Sequence, residues 1–179
     1  GICRDGQVIQ VDVSATRMAY QGAEVSLAFL RDITERKRSE EALKESEANL
    51  LAVMENTEDS IWSIDPEYRI LTVNSTFRKL FSLAYGAALA PGMIITDYLP
   101  DETKKVWIDL YQKALPGEQF TIQQHFEFAG TAIDVDVSFN PIFSPSRDIT
   151  AVSVFSRNVT EKKKAEDALR ENEERYIQM

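Results

Sequence analysis

The sequence predicts an α+β protein: strands, a helical middle and further strands, bracketed by long charged helices. Three observations predict it. One stretch of charged, helix-forming residues occurs twice, each time straight after a strand pattern. Between the copies, apolar residues alternate with period two on both sides of a region with helical spacing. Hydrophobic residues also make up 44% of the 179, with seven glycines and six prolines, which describes a folded chain with a sizeable core rather than a disordered or low-complexity one.

The repeat fixes the organisation before any local reading does. Arg31 to Leu50 reads RDITERKRSEEALKESEANL and Arg157 to Tyr176 reads RNVTEKKKAEDALRENEERY, nine identities in twenty at an offset of 126. Just upstream, Ile9 to Ser14 (IQVDVS) matches Ile133 to Ser138 (IDVDVS) at an offset of 124, so the second copy has two more residues between the match and its helix. The repeated unit is therefore a β-hairpin followed by a charged helix.

Taken in order, Ile9, Val11 and Val13 share one face of a strand and Gln10, Asp12 and Ser14 the other. Tyr20-Gln21-Gly22 supplies a turn, and Val25 to Leu30 returns. Asp32 stands three residues before Glu35, and Asn158 three before Glu161, which predicts a capping box opening each charged helix. Thr34 to Asn56 as one helix spans roughly 35 Å. Ser60 to Ile64 and Ile70 to Asn74 are short strands around a turn at Asp65-Pro66-Glu67-Tyr68. Asn74 or Ser75 caps a short helix through Phe77, Leu80 and Phe81. An irregular stretch, Ala84 to Pro100, leads to a clearer helix, Glu102 to Ala114, with Val106, Trp107 and Leu110 inward and Pro116-Gly117 as its stop. Phe120 to Phe128, Ala132 to Phe139 and Ile149 to Arg157 are three longer strands.

These residues resemble a known family. The Asp32-Ile33-Thr34-Glu35 sequence ending a strand and opening a charged helix, its second copy at Asn158, the strands Ile61 to Asp65 and Thr72 to Asn74, and the order of elements are similar to PAS sensory domains in tandem. The resemblance divides the chain into the C-terminal hairpin of an incomplete preceding domain (1–34), a linker helix (35–56), a complete PAS domain (57–160) and an exit helix leading to a further module (161–179). It implies a five-stranded antiparallel sheet with helices on one face, enclosing a cavity for a small molecule. It also implies that Asp32, Thr34, Asn158 and Thr160, at the strand ends, relay a signal into the helices. Asn158 departs from the family's usual Asp, which weakens an ion pair expected there. Such domains commonly regulate bacterial sensor histidine kinases of two-component systems, or cyclic-dinucleotide enzymes such as diguanylate cyclases.

Charge and composition narrow the partners. Twenty Lys and Arg against 29 Asp and Glu leave a net charge of −9, which argues against nucleic acid or an anionic membrane as the main partner. A single cysteine, Cys3, provides neither an intrachain disulfide nor a thiolate metal cage, and so suits a reducing, cytoplasmic setting. No apolar run approaches the roughly 18 residues of a membrane span, and attachment of the parent protein to a membrane is left open.

Each candidate site has a plainer counterpart. His125 is the one histidine, and alternation puts it with Glu127 on the face opposite Phe120, Ile122, Gln124, Phe126 and Phe128. Haem is disfavoured, because the resemblance places its ligand on the helix Glu102 to Ala114, which has no histidine. Photoactive flavin chemistry is disfavoured too, since the family's version uses a cysteine absent from the complete domain; the expectation is a colourless protein with no metal site. Tyr98, Trp107, Tyr111, Phe126 and Phe139 are the candidates for lining a pocket, with core packing as the alternative. Arg36-Lys37-Arg38 and Lys162-Lys163-Lys164 sit among glutamates at helical spacing, such as Arg36 with Glu40 and Lys162 with Glu166, and read as solvated faces. A hydrolase built on His125 lacks every supporting motif: no Gly-x-Ser-x-Gly, no His-Glu-x-x-His, no phosphate-binding glycine loop.

The expected function is thus a non-catalytic sensor and relay module, with a ligand-free structural dimerisation spacer as the alternative from a different class. A homodimer is expected through the N-terminal hairpin and the charged helices. Leu43, Ser46, Leu50 and Val53 recur at 3-4-3 spacing, and Leu169, Asn172, Tyr176 and Met179 take the same places in the second copy, a narrow stripe suited to helix pairing or to capping the domain's own core.

Overall fold

A computed structural model of the protein describes residues 8–128 and 131–177, the side chains of 127, 128, 131, 171 and 174–177 aside. Cys3 and Met179, and the side chain of Tyr176, lie outside the described residues. The chain forms two compact units, Gly1–Val53 and Met54–Met179.

In the first unit, strands β1 (Val11–Tyr20) and β2 (Ala23–Asp32) form an antiparallel hairpin. Gln21 and Gly22 both have positive φ, 51° and 81°, and so make the two-residue primed turn whose twist matches that of the strands. Pairing therefore continues to the turn itself, Tyr20 against Ala23, and both strands are longer than the sequence pattern suggested. Helix α1 (Thr34–Glu55) follows and has no buried residue.

The second unit contains β3 (Ser60–Ile64), β4 (Ile70–Val73), α2 (Ser75–Tyr85), a 3-10 turn (Ile95–Tyr98), α3 (Asp101–Ala114), β5 (Phe120–Phe128), β6 (Thr131–Phe143), β7 (Ile149–Asn158) and α4 (Thr160–Ile177). The five strands form one antiparallel sheet in the order β4-β3-β7-β6-β5. Alternation decides which face is covered: Val135, Val137 and Phe139 of β6 and Val152 and Val154 of β7 are buried, against Phe81 of α2 and Tyr111 and Ala114 of α3. Asn74 ties the strands to the helices. Its side chain accepts from Phe77 N as the α2 cap and from Ile61 N at 3.0 Å each, and it donates to Met54 O at 3.0 Å and Asp59 O at 2.8 Å.

Three local expectations change. β6 runs on past Phe139 to Phe143, because β5 begins opposite Phe139 and Pro141 pairs only with Val152 of β7, so the missing proline N–H costs no ladder bond on the other side. The inward stripe of α3 is Trp107, Leu110, Tyr111 and Ala114, while Val106 is about half exposed. No capping box forms: α1 and α4 begin at Thr34 and Thr160, two residues after Asp32 and Asn158, whose side chains accept from those threonines.

Candidate functional site

Between the covered face of the sheet and helices α2 and α3 lies a cavity of about 370 Å³. Its wall is built from Trp62 of β3, Phe77 and Phe81 of α2, Trp107 and Tyr111 of α3, and the inward residues Ile133, Val135 and Val137 of β6. Trp62 stacks on Phe77 with ring centroids 3.9 Å apart and planes 10° from parallel, and its indole N–H donates to the Tyr111 hydroxyl at 3.0 Å. Burial pushes the Tyr111 phenol well up, so it stays protonated. The wall contains no charged side chain; its polar side-chain groups are the hydroxyls of Ser60, Ser156, Tyr85 and Tyr111 and the indole N–H groups of Trp62 and Trp107.

The five candidate residues separate. Trp107, Tyr111 and Phe126 line the cavity. Phe139 is fully buried behind it, its ring 5.9 Å from Trp107 and 6.1 Å from Tyr111, and serves the core instead. Tyr98 is 40% exposed and stands away from the wall, since its 3-10 turn buries Ile95 and Thr96. Trp62 and Phe77 are the residues that sequence reading missed. The period-two pattern of Ser60 to Ile64 puts Trp62 on one face with Ser60 and Ile64, but only its partner Tyr111, 49 residues on, makes it a wall residue. His125 lies outside the wall, on the other face of the sheet, where its Nδ1 is 3.3 Å from Asp134.

At the end of the second unit, the strand-to-helix junction is held by side chains. Asn158 Oδ1 accepts from Thr160 N at 3.0 Å and from Thr160 Oγ1 at 2.7 Å, while Thr160 Oγ1 in turn accepts from the backbone N of Asp134 at 2.9 Å. Lys163, one turn into α4, reaches the Asp134 carboxylate at 3.0 Å. That bond, with a further one from His125, holds the Asp134 carboxyl below the usual carboxylate range. The first copy has the same arrangement: Asp32 accepts from Thr34 N at 2.9 Å and Oγ1 at 2.6 Å, and Thr34 Oγ1 accepts from Gln10 N at 2.8 Å. Strand register agrees too, Val11 opposite Asp32 and Val135 opposite Asn158. The position thus works as an acceptor. Among the described residues Asp32 makes no salt bridge, so Asn158 loses no ion pair by lacking the charge.

Most described side chains of the charged helices face solvent. Arg36 pairs with Glu40 at 2.8 Å and Lys162 with Glu166 at 3.8 Å. Leu43, Leu50 and Val53 are exposed, and Leu169 is 61% exposed, so it does not cap the core of its own unit. No helix among the described residues is long and apolar enough to cross a membrane.

Comparison with solved structures finds the same fold elsewhere. The PAS domain of Bordetella pertussis BvgS matches with a TM-score of 0.54 and 15% identity, over 73% of this chain and 98% of that one. A phage VqmA-DPO complex matches with a TM-score of 0.52 and 16% identity, over 74% and 62%. A sensory box histidine kinase/response regulator of Burkholderia thailandensis gives 0.42 and 13%, over 68% and 92%. The likenesses to the BvgS and VqmA structures concern the fold alone. No curated protein sequence matches the chain. The family model described as the PAS fold matches residues 54–164, starting where the second compact unit starts. That match spans more than half of the sequence, and the chain belongs to the PAS fold family, its second unit being a PAS sensory domain.

Proposed function

We propose that the chain is a non-catalytic sensor and relay module that regulates an output domain through α4, in a sensor histidine kinase, with a diguanylate cyclase as the alternative parent. One observation supports this above the others: β6 serves both ends of the relay. Its inward residues Ile133, Val135 and Val137 line the cavity, and between them Asp134 binds the first turn of α4 through its backbone N–H and its carboxylate. A ligand that shifts β6 from the inside therefore moves the anchor of α4 on the outside. A spacer whose cavity is filled by its own side chains is disfavoured by the 370 Å³ left open.

The first unit fits the same reading as the C-terminal hairpin of a second, tandem copy. Its register and the Asx–Thr bonds of its junction repeat those of β6, β7 and α4. Residues whose counterparts are covered stand open: Val13 is 56% exposed where Val137 is 1%. The hairpin and the exposed stripes Leu43, Leu50, Val53 and Leu169, with Tyr176, would then join two copies as a homodimer.

The relay is tested by helix phase in the full-length protein. One residue inserted after Asn172 turns everything downstream by about 100°, whereas seven restore the face to within about 20°. Output should be lost or locked by the first insertion and largely recovered by the second. Equal output and equal signal response in both would refute the relay.

A further inference from the structure

The bond between Trp62 and Tyr111 has a direction, and it leaves a donor over. An indole N–H can only donate, so across the 3.0 Å contact the Tyr111 oxygen is the acceptor. The hydroxyl's own proton needs another acceptor, and among the described residues it has none. Tyr111 is 1% exposed and lines the cavity, and burial keeps its phenol protonated. Buried donors are nearly always satisfied in folded proteins, so an orphan in a cavity wall points to something that enters the cavity. An ordered water needs two to four polar partners; Tyr111 is ringed by Trp62, Tyr68, Trp107 and Phe139, and of these the Trp62 N–H is already committed to the Tyr111 oxygen.

Resting on the reading of this cavity as a ligand site, we propose that its ligand is an uncharged, flat, largely apolar molecule bearing one hydrogen-bond acceptor, a carbonyl or ring nitrogen, that takes the Tyr111 proton. The absence of charge follows from the wall, which offers no counter-ion to a charged group leaving water. Flatness follows from the stacked Trp62 and Phe77 rings and from Trp107 beside them. The acceptor follows from the orphaned hydroxyl.

A matched pair of probes tests this on the full chain. 1-Indanone and indane have nearly the same shape and differ by one carbonyl, and calorimetric titration gives both affinities. The wild type should bind 1-indanone about tenfold tighter than indane. Tyr111→Phe should erase that preference while leaving indane affinity within about twofold, whereas Trp62→Phe, which keeps the Tyr111 proton, should retain it. The carbonyl stretch of bound 1-indanone gives an independent reading in the wild type and should fall below its value in an apolar solvent. Equal affinity for both probes, a preference that survives Tyr111→Phe, or an unshifted carbonyl overturns the proposal while leaving the cavity a ligand site. Binding of neither probe overturns the ligand-site reading along with it.

Discussion

Single residues here are held by what they accept. Asn74 satisfies four backbone groups from a fully buried position. Asn74→Ala should therefore cost about 3 kcal/mol, from a lost cap and stranded donors, read as a lower urea midpoint at unchanged slope. Asn74→Asp should be no better at neutral pH, because a carboxylate would face the carbonyls of Met54 and Asp59. Its folded pKa would be raised above the unfolded value, so the defect should shrink as pH falls and the protonated group regains one donor. Asn158→Asp should be nearly neutral, within about 0.5 kcal/mol by thermal melting, since Asp32 fills the same role with the same geometry. A gain well beyond that would mean that charge matters at the junction. At Asp134 the sign runs the other way from the Asn74 variant. Its folded pKa is lowered, chiefly by Lys163, so its contribution is present above the ordinary carboxylate value and is lost as pH falls through the lowered one. Protection of the amides in the first turn of α4, relative to their intrinsic exchange rates, should fall as pH drops below the ordinary carboxylate value of about 3.9 in the wild type. In Asp134→Asn it should be low already at neutral pH.

At the scale of elements, legibility followed how local the deciding chemistry was. β3 and β5 run over the residues expected, Ser60–Ile64 and Phe120–Phe128, because alternation and flanking turn residues settle such strands on their own. The sequence pattern of β6 stops at Phe139, and its continuation to Phe143 shows only in the sheet, where β5 begins opposite Phe139 and β7 alone pairs with the rest. The face of α3 was misjudged by one residue at Val106 for a related reason: the strip it covers is set by Phe139 and Trp62, from other elements. Among site residues, Trp107, Tyr111 and Phe126 could be read as candidates because aromatics at inward positions are visible in one segment. Tyr98 and Phe139 satisfied the same rule, and only packing separates core from wall. The junction shows the opposite case: the repeat identified Thr34 and Thr160, but their bonds to Gln10 and Asp134 cross 24 and 26 residues. Thr160→Val tests that element directly. It keeps the shape and removes the hydroxyl, so Asp134 N loses its acceptor and α4 one of its ties to β6, the other being Lys163. The expected result is faster amide exchange at Asp134 and Lys163 with the exchange of β3 unchanged. Uniform acceleration across the sheet would mean that the threonine holds up the whole domain instead.

The whole molecule contains one covered sheet and one uncovered hairpin. In the PAS domain the hairpin of β6 and β7 has β5 on one side and β3 on the other, with helices over its apolar face. The hairpin of β1 and β2 has the same pattern, and among the described residues nothing covers it. Val13 pairs directly with Leu30 on the face equivalent to the cavity wall, while Met18 pairs with Val25 on the other, and all four are exposed. Two-stranded hairpins alone are marginal in water, and open strand edges invite pairing with another chain. The expectation is that this hairpin is ordered by self-association. Light scattering of the full chain should give a mass above the monomer, and deletion of residues 1–30 should lower it. Amide exchange separates this from aggregation through some other surface. Protection of Val13, Leu27 and Leu30 should rise with protein concentration in step with the mass, while that of Val137 and Val154 in the PAS sheet stays constant. Hairpin amides protected equally at all dilutions, with mass unchanged by the deletion, would show that the hairpin is stable within a single chain and has no part in assembly.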